Sequence, residues 1–171
     1  MQKKNTLRQI GMRILALIFL SLVALSGCSR FINYDGPEVT RIVVMKADRT
    51  MYLLSGDEVL ESYEFELGFA PVGHKEVEGD GRTPEGRYFI DRRNPESAYY
   101  LSLGISYPNE EDIAYAEELG LPPGGDIFIH GTPRPFRQQD DWTWGCIAVS
   151  NREMRQIYAM VTTGTVIDIY P

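Results

Sequence analysis

The sequence predicts a mainly β domain, a β-sandwich of mixed sheets carrying one or two short helices. Three observations lead there: many short apolar runs end at turn residues, residues around Tyr63 alternate with period two, and only two stretches carry helix-start signals. A chain of 171 residues can bury one proper core and is short for two.

In chain order, Lys3, Lys4, Arg8 and Arg13 precede an apolar run over 14–25 that no acid interrupts. That is the charged and apolar layout of a signal peptide, and the run is short for a membrane-spanning helix. It ends in Leu25-Ser26-Gly27-Cys28, which resembles the lipobox of bacterial lipoproteins. In such proteins the chain is cut before the cysteine and the thiol is acylated. An ordinary signal peptide, or an uncleaved anchor, with an incidental Cys28 is the alternative. The organisation expected is a lipoprotein signal peptide over 1–27, lipidated Cys28 and a tether over 28–40, and one catalytic domain over 41–171. The expected location is the cell envelope, facing the periplasm, with the membrane reached through the lipid. Ser29, where aspartate would resemble an inner-membrane retention signal, favours the outer membrane.

Taking off the leader's four cations leaves 13 Lys/Arg against 24 Asp/Glu, a charge of −11. No basic stretch remains to track phosphates, which argues against nucleic acid as a partner.

Strands are expected over 41–45 and 51–54. After the turn Ser55-Gly56-Asp57-Glu58, Tyr63, Phe65 and Leu67 alternate with Ser62, Glu64 and Glu66, one face buried and one wet. PVGHKEVEGDGRTPEG, over 71–86, holds too much glycine and proline for a regular element. Strands resume over 87–91 and 99–106, Asn109 caps a helix over 110–119, and Gly120 with Pro122-Pro123 ends it. Ser150-Asn151-Arg152-Glu153 has capping-box form, and Met154, Ile157, Tyr158 and Val161 follow at helical spacing, stopped by Gly164. A last strand runs over 165–170.

The chemistry concentrates in IFIHG and DWTWGCIAVSN. The chain has two histidines and two cysteines, and His130 and Cys146 lie sixteen residues apart. Ile127-Phe128-Ile129 carries His130 to a strand end. With Cys28 spent on lipid, Cys146 has no intrachain partner, and a lone thiol in an oxidising compartment is either buried or used. A buried structural thiol is the usual fate of a core cysteine. Gly145, which lets backbone amides approach a ligand, and the polar lead-in Asp141-Trp142-Thr143 favour a nucleophile with His130 as its base. His74 reads as a solvated residue of the glycine-rich loop. The sequence has no CxxC or HxxxH spacing, so no metal site is expected, nor any other cofactor.

IHG followed by TWGCIAVSN, with EGDGRTPEGRYFI upstream, resembles the L,D-transpeptidase catalytic domain, the YkuD family, across 41–171. Two separated motifs in order make the likeness specific. It implies a β-sandwich with a cleft, and an acyl-enzyme thioester formed on peptidoglycan stem peptides. Carried over, Cys146 is the nucleophile, His130 the base and the Gly131 carbonyl the group that orients it. Backbone amides around Gly145, with Trp144 and Cys146 beside it, form the oxyanion hole. Thr143, Asn151 and Arg134, or Arg137 in its place, are the expected substrate contacts. Trp144 stands where the family usually has histidine, and Ala148 where many members have arginine. The implied acceptor is a second stem or an envelope protein. Water as acceptor would make a carboxypeptidase or amidase, and a peptidoglycan-binding lipoprotein without turnover is the remaining rival.

Overall fold

The computed structural model describes residues 30–171; Cys28 and the leader lie outside the described residues. Alternation shapes the first three strands, β1 (Arg41–Met45), β2 (Thr50–Ser55) and β3 (Glu58–Glu64), where Ile42, Val44, Met51, Leu53 and Tyr63 are buried. Five more strands follow: β4 (Gly86–Asn94), β5 (Ser102–Ile105), β6 (Phe128–Gly131), β7 (Ile147–Val149) and β8 (Val166–Tyr170). Hydrogen bonding orders them β3-β2-β1-β8-β4-β5-β6-β7. Two pairings are parallel, β1 with β8 and β6 with β7.

The mixed layers expected from the sequence are two halves of one sheet joined through β4. Its first residues, Gly86 to Phe89, pair with β8, and Ile90 to Asn94 pair with β5. The register shifts between Ile90 and Arg92, where an extra residue bends the strand. Side chains from both halves, among them Leu53, Tyr88, Leu103, Ile129 and Ile167, share one core.

Beyond β3 the chain leaves β2 and crosses to the other end of the sheet order. Glu66 exchanges backbone hydrogen bonds with Ala148 at 2.8 and 2.9 Å. Phe65 and Leu67 stay buried along that crossing, so the alternation outlasts the strand.

Two helices complete the domain. In α1 (Glu110–Glu118) Asn109 and Asp112 form a reciprocal capping box. In α2 (Asn151–Met160) Ser150 and Glu153 do the same, at 3.2 and 2.9 Å. Each such cap contributes about 1 kcal/mol. Met154, Ile157, Tyr158 and Met160 bury one face of α2, which packs on β5 and β6. The helix therefore backs the strand that carries His130.

Two expectations change. The strand expected over 99–106 is confined to β5, because Tyr100 adopts φ +78° and breaks the extended run. The tether expected to reach residue 40 is already packed at its end: Val39 is buried, and the Thr40 amide bonds Leu54 O at 2.8 Å.

Candidate active site

Apolar burial fixes β6. Ile127 and Ile129 enter the core, and the parallel register sets Ile129 beside Ile147 and His130 beside Ala148. Alternation then gives Cys146, two residues before Ala148, the sheet face of His130, one diagonal step away. The Phe128 backbone on β6 is near enough to the Cys146 sulfur to favour its charged form.

His130 is 3% exposed. Its ring stacks on Tyr99 at 4.6 Å between centroids and meets the edge of Trp142 at 5.5 Å; Trp142 in turn stacks on Phe136 at 4.3 Å. The Nδ1 lies 2.8 Å from the Gly131 carbonyl. A carbonyl only accepts, so Nδ1 carries the proton and Nε2 is left basic. Burial pushes the imidazole below the ordinary histidine range, and the Gly131 carbonyl opposes that push.

Cys146 is the free cysteine of the described residues, part-buried by surface. Enclosure of its sulfur pushes the thiol up to about 11, with the Phe128 amide opposing. At rest the thiol donates to the Asp126 carbonyl at 3.6 Å, not to His130. Thiol and imidazole are thus both neutral at pH 7.

The turn before Cys146 is clamped from three sides. Gly145 adopts φ +113°, and a Cβ there would come 2.4 Å from Arg82 O. Thr83 donates to Gly145 O at 2.8 Å. Arg49 grips Asp141 with two hydrogen bonds, the Nη2–Oδ2 one at 2.7 Å, and Asp141 Oδ1 also accepts from the Leu67 amide at 3.3 Å. The Arg49 guanidinium, through that hydrogen bond, holds the Asp141 carboxyl below its usual range even though burial acts the other way.

A cleft of about 800 Å³ opens over the thiol, lined by Cys146, Trp144, Asp126, Arg92, Glu78 and Lys75 among others. Several residues expected there lie elsewhere. Thr143 is 3% exposed and spends its hydroxyl inside the turn, donating to Cys146 O at 2.7 Å and accepting from the Gly145 amide at 3.2 Å. It holds the turn's shape, and the Gly145 amide is engaged at rest instead of facing an oxyanion. Asn151 opens α2 and, with Arg137, lines a separate hollow of about 450 Å³ that includes neither Cys146 nor His130. Its Oδ1 packs against Gly131, where a Cβ would approach to 2.3 Å. Arg134 is exposed on a single 3-10 turn, Arg134–Phe136, away from the cleft lining. Ala148 is buried at 1%. Trp144 is 70% exposed and meets Phe69 edge-on at 5.1 Å.

His74 departs from its solvated reading. Its Nδ1 accepts from the Glu85 amide at 2.9 Å, and its Nε2 donates to Asp112 at 3.0 Å, pinning the glycine-rich loop to α1. Sequence reasoning also missed Arg92 and Asp126 beside the thiol, and no motif marks either.

The fold and site define a class: β-rich domains that present one cysteine, on a clamped glycine turn, at a cleft, with a buried strand-end histidine on the neighbouring strand and outside the cleft lining. The family model of YkuD, the L,D-transpeptidase catalytic domain, matches residues 39–169, and the chain belongs to that family. Among relatives, YafK of Escherichia coli (strain K12), named provisionally as an L,D-transpeptidase, is 31% identical over 143 residues, which are 76% of this chain and 53% of that protein. YkuD of Bacillus licheniformis, named likewise, is 26% identical over 136 residues, 77% of this chain and 66% of that protein. Among solved structures, a point variant of the helical cell shape determining protein Pgp2 from Campylobacter jejuni superposes with a TM-score of 0.62 at 25% identity, covering 86% of this chain and 52% of that one. An L,D-transpeptidase from Mycobacterium smegmatis gives 0.53 at 14% identity, over 78% of this chain and 59% of that one, a likeness of fold. The chain spans about half the length of YafK.

Proposed function

We propose that this domain is a cysteine acyltransferase acting on peptidoglycan stem peptides. One observation carries the reading: the Cys146 thiol lies at a cleft on the sheet face of an imidazole whose tautomer leaves Nε2 basic. As a substrate carbonyl reaches the sulfur, the thiol proton passes to His130 Nε2 and an S–C bond forms. The tetrahedral oxyanion collapses, the scissile C–N bond breaks, and the imidazolium returns its proton to the departing amine. An incoming amine, from a second stem or an envelope protein, then attacks the thioester and gives its proton back through His130 to the restored thiol. A thiolate does not need to exist beforehand, which suits a buried sulfur. Trp144, turned out against Phe69, supports turnover over occlusion of the site.

Purified tetrapeptide muropeptides incubated with this protein and with Cys146→Ala, read by mass spectrometry, test the reading. Cysteine-dependent dimers that have lost one D-alanine are the expected product. Cysteine-dependent tripeptides alone would identify water as the acceptor. Intact tetrapeptides from folded protein would move the assignment to a non-catalytic peptidoglycan binder.

We also propose that Cys28 anchors the domain to the envelope membrane, since the small residues before it follow directly on an apolar run. One acyl chain binds marginally and several bind stably. Cys28→Ser should leave the membrane fraction or accumulate unprocessed; unchanged fractionation would sink the anchor.

A further inference from the structure

The cleft over Cys146 is lined by two cations, and they differ in use. Lys75 is buried, with its ammonium engaged by Asp80 at 2.9 Å and Val77 O at 3.0 Å. Arg92 is held for display. The strand registers set Arg92 beside Gly104 and Gly104 beside Phe128, and the parallel pairing of Ile129 with Ile147 puts Cys146 on the next segment, level with Phe128. Cation, glycine, ring and thiol thus form one row across four neighbouring segments. The row is built to seat the side chain. A Cβ on Gly104 would come 2.4 Å from Asp91 Oδ1, 2.5 Å from Arg92 Cγ and 3.0 Å from its Nε, so glycine leaves room for both the guanidinium crossing β5 and the Asp91 carboxylate that pairs with it. The guanidinium then lies 4.5 Å from the Phe128 ring centroid.

Arg92 pairs with Asp91 at 2.7 Å and with Asp126 at 2.9 Å. The Asp126 side chain is 89% exposed, and ion pairs so open to water are weak and easily exchanged. The main chain of Asp126 also accepts the thiol hydrogen at 3.6 Å, so this acid-base pair stands next to the reacting sulfur.

We propose that Arg92 is the specificity residue of the cleft: it takes a free carboxylate of the peptide, and the displaced Asp126, with Glu78 across the cleft, takes the neighbouring ammonium. The ligand class is a peptide with a zwitterionic amino-acid centre, such as the distal end of a diamino acid. A planar guanidinium suits a carboxylate geometrically, and neither Arg134 nor Arg137 lines this cleft.

The inference deepens the acyl-transfer reading, so its test is made without turnover. Binding to full-length Cys146→Ser is measured by calorimetry for two tetrapeptides: one whose diamino acid keeps its distal carboxylate, and one with that carboxylate amidated. A charge-assisted contact predicts roughly ten- to hundredfold weaker binding of the amidated peptide. Adding Arg92→Ala should bring the ratio to about 1. Gly104→Ala, which moves the guanidinium but keeps its charge, should lower the ratio as well. Arg92→Lys supplies the comparison if the alanine variant does not fold, and should retain part of the preference. Equal binding of both peptides, binding of neither, or a ratio unchanged by Arg92→Ala or Arg92→Lys would overturn the assignment. Discrimination without any product from the wild-type protein would instead count against acyl transfer alone.

Discussion

Alanine in place of Gly68 is expected to cost about 3 kcal/mol or more and to abolish whatever chemistry Cys146 performs. A Cβ at this position would come 1.9 Å from Gly81 O and 2.7 Å from the Gly145 amide nitrogen. Both neighbours are backbone, so neither can move aside as a side-chain tip can. Three segments meet there: the crossing after β3, the glycine-rich loop and the turn that presents the thiol. They are already tied by Ala70 N to Gly81 O at 3.3 Å and Phe69 N to Thr143 O at 3.2 Å. Gly56→Ala is the control. It has φ +58° and no atom within 4 Å, so it should lose only the left-handed backbone preference, about 1 to 2 kcal/mol. Urea denaturation of both variants decides the matter, and equal losses would show that the convergence at Gly68 is not rigid.

The thiol should behave as an unactivated one until substrate arrives. With its ionisation pushed to about 11 by burial, roughly one molecule in ten thousand carries the thiolate at pH 7. Alkylation of Cys146 by iodoacetamide, followed by peptide-resolved mass spectrometry, should therefore accelerate about tenfold per pH unit from pH 7 to 10. That is roughly a thousandfold in all, with no plateau near neutrality. His130→Gln should leave the profile nearly unchanged, because the resting thiol bonds Asp126 and not the imidazole. A plateau near pH 7 that His130→Gln removes would mean a preformed thiolate–imidazolium pair. The sign for stability is the same. The folded state holds the thiol proton more tightly than the unfolded chain does, so this contribution is complete below about pH 8.5 and is lost as pH rises toward 11.

Local signals carried much of the architecture. Alternation at Tyr63, Phe65 and Leu67 is a property of neighbours in the chain, and those residues are buried. The two capping boxes are complete within four residues each, and both helices start where those residues say. His130 and Cys146 stand out because the chain holds so few residues of either type. Tyr100 shows the limit of such signals: its neighbours read as strand, yet its positive φ ends the run, and Tyr99 is freed to stack on His130.

Contacts between distant segments were the part no local pattern could reveal. Arg134 and Arg137 are the loop arginines that the sequence offers in place of the one missing at Ala148, and neither lines the cleft over Cys146. Strand order delivers Arg92, through Gly104 and Phe128, to that cleft. Thr143 looked like a cleft residue until the turn folded its hydroxyl inward. His74 looked solvated until α1 brought Asp112 to it. By itself the sequence determined the main elements and the caps and singled out His130 and Cys146 as candidates, since periodicity, capping and rarity act over a few positions. Only the tertiary structure decided which charged residues share a cleft with the thiol, because sheet register is set by burial across the whole core and places residues far apart in the chain in one row.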